Sequence, residues 1–229
     1  MRLTRLLAPL WGALTLAGAA AAQGAAPTPA FGPVDTGHLV AELIPEAASI
    51  APGQTIHVAL AQTIDKGWHT YWRNPGDSGE PSRIEWSLPA GWTASDFVWP
   101  APTREPIGPL MNYGYSDRVL LPVKLTAPAD AKPGQSVEIT GAATFLVCEE
   151  ICVPESAVLG LRLPVSARPG APHSTFARPI AAALAAAPQA GPLTAAFSRQ
   201  GEALSLAVVG APLRGADLSG AYFFPYDGA

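Results

Sequence analysis

The sequence predicts an antiparallel β-sandwich, and three observations carry that expectation. The first is a series of about seven short apolar runs over roughly 130 residues, each bounded by turn-forming residues. The second is the 25 Pro and 22 Gly among 229 residues, rich in turn-formers yet below the roughly 25–30% of low-complexity chains. The third is the near absence of a helical apolar period before residue 174. Spacing alone also fits a small barrel, which stays open as the other all-β answer.

The composition narrows the function classes. Hydrophobic residues are 48% of the chain and charged residues only 14%, against a usual charged share of about 25%. That is enough apolar material for a packed core, so most of the chain is expected to fold. The net charge of −4 argues against nucleic acid as a partner, because such surfaces need clustered Lys and Arg.

The elements follow in order. Residues 1–22 read as a signal peptide: Arg2 and Arg5, the apolar run Leu6 to Leu16, and the small residues Ala20-Ala21-Ala22 before Gln23. Export to a periplasm follows from it, with a membrane anchor as the other reading of the same run. Residues 23–35 form an Ala/Pro/Gly linker. The sandwich is expected over 36–166, with strands His38–Ile44, Thr55–Thr63, Arg83–Leu88, Phe97–Trp99, Val119–Thr126, Ser136–Val147 and Ala157–Val165. In Thr55–Thr63, Ile56, Val58 and Leu60 alternate onto one face. Turns such as Ala51-Pro52-Gly53-Gln54 and Lys132-Pro133-Gly134-Gln135 separate the runs. Residues 167–190 hold a linker and a short helix, with Ser174 as N-cap, Pro179 as an alternative start and Pro188 as the stop. Residues 191–229 start a second β region: a hairpin Leu193–Ser198 and Ala203–Val209, then a strand Ala221–Phe224. About 35 residues are too few for a separate sandwich, so the sequence is expected to break off inside a second domain.

The chemistry centres on two cysteines, Cys148 and Cys152. Export to an oxidising compartment lets them pair. In a regular strand their separation would be about 13 Å, beyond the roughly 7 Å that a disulfide tolerates. Glu149-Glu150-Ile151 must therefore turn, or the segment must be helical; Val153-Pro154 argues against the helix. A bend between two strands is the expected place. A five-residue ring stabilises by about 2 kcal/mol on loop entropy, against about 4.7 for a 100-residue ring, so a redox-active pair is favoured over a staple. A staple and a metal site remain the alternatives. Glu149 and Glu150 flank the thiols, and their charge is expected to disfavour the thiolate that does the attacking.

Two further residues qualify as candidates. In a strand through Trp68–Trp72, Trp68, Thr70 and Trp72 share one face and His69 and Tyr71 the other. His69 and Tyr71 then either line the cysteine site or pack without a role. Nucleophile-elbow, phosphate-loop and zinc-protease motifs are missing from the sequence.

Three stretches resemble the exported N-terminal region of the DsbD/ScsB family of thiol:disulfide interchange proteins, nearer the ScsB type. They are Gly67-Trp68-His69-Thr70-Tyr71-Trp72-Arg73-Asn74-Pro75-Gly76-Asp77-Ser78-Gly79, Met111-Asn112-Tyr113-Gly114-Tyr115 with the following Val119–Val123, and Cys148-Glu149-Glu150-Ile151-Cys152-Val153-Pro154-Glu155. The resemblance covers residues 34–166 and, more weakly, the tail. It implies an immunoglobulin-like sandwich with no cofactor beyond a redox-active Cys148–Cys152 disulfide. It implies a protein-disulfide reductase in which Cys152 attacks and Cys148 resolves. The implied partners are a transmembrane electron-transfer domain, a thioredoxin-like domain and periplasmic disulfide-bearing proteins, in processes such as copper tolerance and cytochrome c biogenesis. It also implies a cap-loop around Met111, Asn112 and Tyr113 that shields the pair. The better-known DsbD members space their cysteines more widely and carry an acidic pair and a Phe in that loop; here the shield falls to Met111 or Tyr113. Two alternatives stand beside this one: a non-catalytic immunoglobulin-like binding module with a structural disulfide, and a periplasmic copper-binding module using Cys148, Cys152, Met111 and His69.

Overall fold

The computed structural model describes residues 27–227, so the expected signal peptide lies outside the described residues, as do the first residues of the linker. The fold is an immunoglobulin-like β-sandwich. Its strands are β1 (Ala30–Phe31), β2 (Val34–Asp35), β3 (Leu39–Pro45), β4 (Thr55–Ile64), β5 (His69–Gly76), β6 (Arg83–Ser87) and β7 (Thr93–Ala94). They continue as β8 (Thr103–Ile107), β9 (Leu110–Ser116), β10 (Arg118–Thr126), β11 (Ser136–Cys148) and β12 (Cys152–Pro164). Helix α1 (Ala177–Ala185) and the hairpin β13 (Leu193–Gln200) and β14 (Ala203–Gly210) follow. One sheet runs β1-β12-β11-β5-β9-β8, with β6 also paired to β11. The other runs β2-β3-β4-β10-β7.

Alternation builds the core. Ile56, Val58 and Leu60 of β4 point inward, as their spacing predicts, beside Leu39, Ala41 and Leu43 of β3 and Leu121, Val123 and Leu125 of β10. From the facing sheet come Trp72, Tyr115, Ile139, Phe145, Val147, Leu159 and Leu163. Each buried Val, Leu, Ile or Phe among them contributes about 1.5–3 kcal/mol of apolar burial. The outward face of β4 carries Ala59 and Ala61, small enough for α1 to seat its buried Ile180 there against Ile44 and Leu120.

Several expectations are corrected. Phe97–Trp99 is not a strand: the two rings pack edge to face at 5.5 Å, and only Val98 makes a backbone bond, to Pro122. Ser174 does not cap α1; Phe176 holds that position without a side-chain bond, and Pro179 fits in the first turn, where its missing N–H costs nothing. Ala221–Phe224 is not a strand either, but packs its aromatic rings on the sandwich. The segment expected as a cap-loop, Met111 to Tyr115, lies within strand β9, paired to β8 from Thr103↔Gly114 to Ile107↔Leu110.

Candidate functional site

Strands β11 and β12 pair residue by residue from Ser136↔Pro164 to Cys148↔Cys152. Glu149, Glu150 and Ile151 form the three-residue turn, closed by the Glu149 N–H donating to the Ile151 carbonyl at 3.1 Å. The turn brings the two cysteine Cα atoms to 4.1 Å, and they form a disulfide. This is the bend the four-residue spacing requires. Cys148 is fully buried, whereas Cys152 is exposed. Directly opposed residues of a sheet share a face, so both sulfurs lie on the side turned away from the sandwich core. Phe145 and Val147 take the core side.

Strand β5 brings the next two candidates to that outer face. His69 is the cross-strand partner of Cys148, and Tyr71 lies two residues further on. The Tyr71 hydroxyl donates to Cys148 Sγ at 2.9 Å and lies 3.7 Å from Cys152 Sγ. Burial pushes the Tyr71 phenol up from its ordinary value, and the Ser78 side chain beside it acts the other way. The His69 ring stands edge to face against Tyr71 at 5.1 Å. His69 is only 5% exposed, its Nε2 has no hydrogen-bond partner, and burial lowers its pKa, opposed by the Glu105 carboxylate.

Tyr71 faces outward yet is wholly buried, because the loop after β5 folds over it. Gly79 approaches so closely that a β-carbon there would meet Tyr71 ring atoms at 2.3 Å; its φ of +96° also favours glycine. The loop is tied to β9. The backbone N–H and the hydroxyl of Ser78 both donate to Asn112 Oδ1 at 3.0 Å. Asp77 and Met111 exchange two bonds: Met111 N–H to Asp77 Oδ2 at 2.8 Å, and Asp77 N–H to the Met111 carbonyl at 3.1 Å. Asn112 is fully buried, and its Nδ2 has no partner.

The structure therefore gathers Cys148, Cys152, Tyr71 and His69, and joins Asn112 to them through Ser78. Glu149 and Glu150 stand exposed in the turn, with the Glu149 carboxylate folded over Gly67. Met111 and Tyr113 fall on the opposite face of β9 by alternation. Met111 is tied to the loop through its two backbone bonds with Asp77. Tyr113 packs on Phe224 and hydrogen-bonds Tyr222 at 3.1 Å, a bond that, with burial, pushes its phenol up to about 12.

Sequence reasoning assigned no role to Ser78, Gly79, Glu105 or Glu155. The first two stand in the Gly-Asp-Ser-Gly run, where turn chemistry is legible but not what the turn covers. Glu155 ties the sheets together: it accepts from the Thr36 hydroxyl at 2.5 Å, from the His38 N–H at 2.9 Å and pairs with His38 Nδ1 at 2.6 Å. The His38 ring in turn stacks on Trp68 at 3.7 Å. Among the described residues, no three His, Cys, Asp or Glu side chains cluster as a metal site would need.

A sandwich with one member of its disulfide exposed on a hairpin end has the layout that a thiol–disulfide exchange domain would need. Residues 41–163, more than half of the chain, match the family described as thiol:disulfide interchange protein DsbD, N-terminal, and the chain belongs to that family. Among solved structures it is similar to the N-terminal periplasmic domain of ScsB from Proteus mirabilis, with a TM-score of 0.56 and 22% identity. That match covers 75% of this chain and 64% of that one, so the chain spans less than two thirds of its solved relative. A yeast GGA1 GAE domain aligns over 56% of this chain and 96% of its own, at 13% identity and a TM-score of 0.30, too slight a likeness to build on. Comparison with curated proteins finds no match.

Proposed function

We propose that this domain carries reducing equivalents in a periplasm, taking them from a thioredoxin-like domain supplied by a transmembrane electron-transfer domain and passing them to disulfide-bearing exported proteins. The single observation that supports this reading most is the asymmetry of the pair: Cys152 is exposed and Cys148 is not. Of the two cysteines, only Cys152 stands where an incoming thiolate could approach.

The exchange runs in two halves. A partner thiolate attacks Cys152 Sγ; the Cys148–Cys152 bond breaks and Cys148 leaves as a thiolate, which takes a proton. The Tyr71 hydroxyl already donates to that sulfur and favours its departure. The partner's second thiolate attacks the partner sulfur of the mixed disulfide, so the partner leaves oxidised and Cys152 is freed with both electrons. In the second half, the Cys152 thiolate attacks a client disulfide and expels one client thiolate. Cys148, deprotonated, then attacks Cys152 Sγ, restoring the ring and releasing the client dithiol.

The matched ScsB domain is periplasmic, and residues 1–22, read as a leader, would send this chain to the same compartment. Among the described residues, no helix is long and apolar enough to cross a membrane. Anchoring at the inner membrane, in this reading, belongs to other parts of the full protein.

Trapping tests the proposal. Cys148→Ser should accumulate a covalent adduct with a thioredoxin-like partner through Cys152, and Cys152→Ser should not. No adduct from Cys148→Ser, with a disulfide potential below about −300 mV, identifies a structural staple instead.

A further inference from the structure

We propose that Asn112 is a positioning residue for the disulfide, acting through Ser78 and Gly79 to hold the Tyr71 hydroxyl on Cys148 Sγ. The inference deepens the exchange reading above and rests on it. Asn112 is fully buried among strands, where a polar side chain is costly unless it is satisfied. Only its oxygen is used: Oδ1 accepts twice from Ser78, while Nδ2 has no partner. What the amide gains there is a fixed position for one loop residue.

That loop residue is adjacent to the contact that matters. Ser78 is followed by Gly79, whose backbone lies against the Tyr71 ring. Ser78 itself sits beside the Tyr71 phenol. On the other side of the ring's strand, Tyr71 pairs with Gly114, which offers no side chain to hold it. The loop and the disulfide hold the phenol from two sides, and the His69 ring stands edge-on against it at 5.1 Å. A second pair of bonds, between Asp77 and Met111, fixes the loop one residue earlier, but through the Met111 backbone. Asn112 is the side chain of β9 that sets Ser78.

The chemical consequence falls on the leaving group. When a thiolate attacks Cys152, Cys148 must depart carrying negative charge. A hydroxyl donor held on its sulfur lowers the cost, and a better leaving thiolate leaves faster. Releasing the loop lets the phenol drift from Cys148 without touching either cysteine.

The test uses the full chain in its oxidised state, with dithiothreitol as the reductant, and follows the appearance of free thiols. Tyr71→Phe should slow reduction roughly three- to tenfold, the net range of one ordinary hydrogen bond. Asn112→Ala should slow it by a similar factor. The double variant should be no slower than Tyr71→Phe alone, because both act through one contact. Asn112→Asp keeps the accepting oxygen and should restore most of the rate. In the slowed variants, alkylation of the reduced pair should shift to higher pH, a change that loss of packing alone would not produce. If Asn112→Ala does not fold, Ser78→Ala removes one of the two donors and enters the same cycle with Tyr71→Phe. Multiplying effects in the double variant, or an unchanged rate and pH profile in Asn112→Ala, would overturn the proposal. These readouts need no protein partner. Failure of Cys148→Ser to trap a thioredoxin-like protein would thus sink the relay reading separately, whatever the dithiothreitol rates show.

Discussion

Gly79 lies against the Tyr71 ring so tightly that a β-carbon at position 79 would fall 2.3 Å from ring atoms. The contact closes the outer face of the sheet over a tyrosine that already touches the disulfide. Gly79→Ala should therefore cost about 2–4 kcal/mol, from overpacking and from a left-handed backbone. Gly108, at φ +56° with open space around it, supplies the control: Gly108→Ala pays only the backbone part, about 1–2 kcal/mol. Urea midpoints of the two variants measure the difference, and equal losses would mean that the Tyr71 contact yields.

The charges of the turn bear on reactivity. Glu149 and Glu150 are exposed and flank the pair in sequence. Changing both to Gln should speed alkylation of the reduced protein at pH 7 by roughly two- to fivefold, since each removes a charge that opposes the thiolate. The gain should shrink in 1 M salt, where the screening length falls to about 3 Å. Identical rates for wild type and variant at low salt would show that the carboxylates do not reach the sulfurs.

Stability should fall on the acid side because of His69. Burial lowers its pKa below the ordinary 6.5. Well above pH 6.5 the ring is neutral in both folded and unfolded chains, and it contributes no pH dependence. Below 6.5 the unfolded chain takes up a proton that the folded one resists, so stability drops as pH falls, by at most about 1.4 kcal/mol per pH unit for one proton. His69→Gln should flatten the dependence of the urea midpoint between pH 6.5 and 5. A slope that persists unchanged would assign the acid sensitivity to other groups.

Glu155 makes a separate prediction about the scaffold. Its carboxylate is nearly enclosed and serves three donors from the turn between β2 and β3. Glu155→Ala should destabilise by about 1–3 kcal/mol, because it removes three bonds to half-buried donors of Thr36 and His38. Chemical denaturation reads the loss. The effect should appear with the disulfide formed or reduced, which separates this tie from the redox pair.

Much of the fold was legible where alternation or turn chemistry is local. Ile56, Val58 and Leu60 announced their common face, and Pro-Gly turns marked the strand ends. The hairpin of β13 and β14 was readable for the same reason. Phe97–Trp99 misled because aromatic residues suit a strand and an edge-to-face pair equally well. The β8–β9 hairpin was hidden by its own residues: Pro106, Gly108, Pro109 and Gly114 read as loop.

By itself the sequence determined that Cys148 and Cys152 meet on a bend, because four residues of strand reach too far and Pro154 discourages a helix. It also determined that His69 and Tyr71 share a face. Tertiary structure alone decided which groups join them. The pairing of β5 with β9 set Asn112 beside the loop and turned Met111 and Tyr113 away. The fold of that loop placed Gly79 on Tyr71, and β11's place between β5 and β12 buried Cys148 while leaving Cys152 open. The division has a physical cause. Distance along a chain bounds what neighbours can do, but a strand's register against a distant partner is fixed only when the sheets pack and one face is chosen for the core.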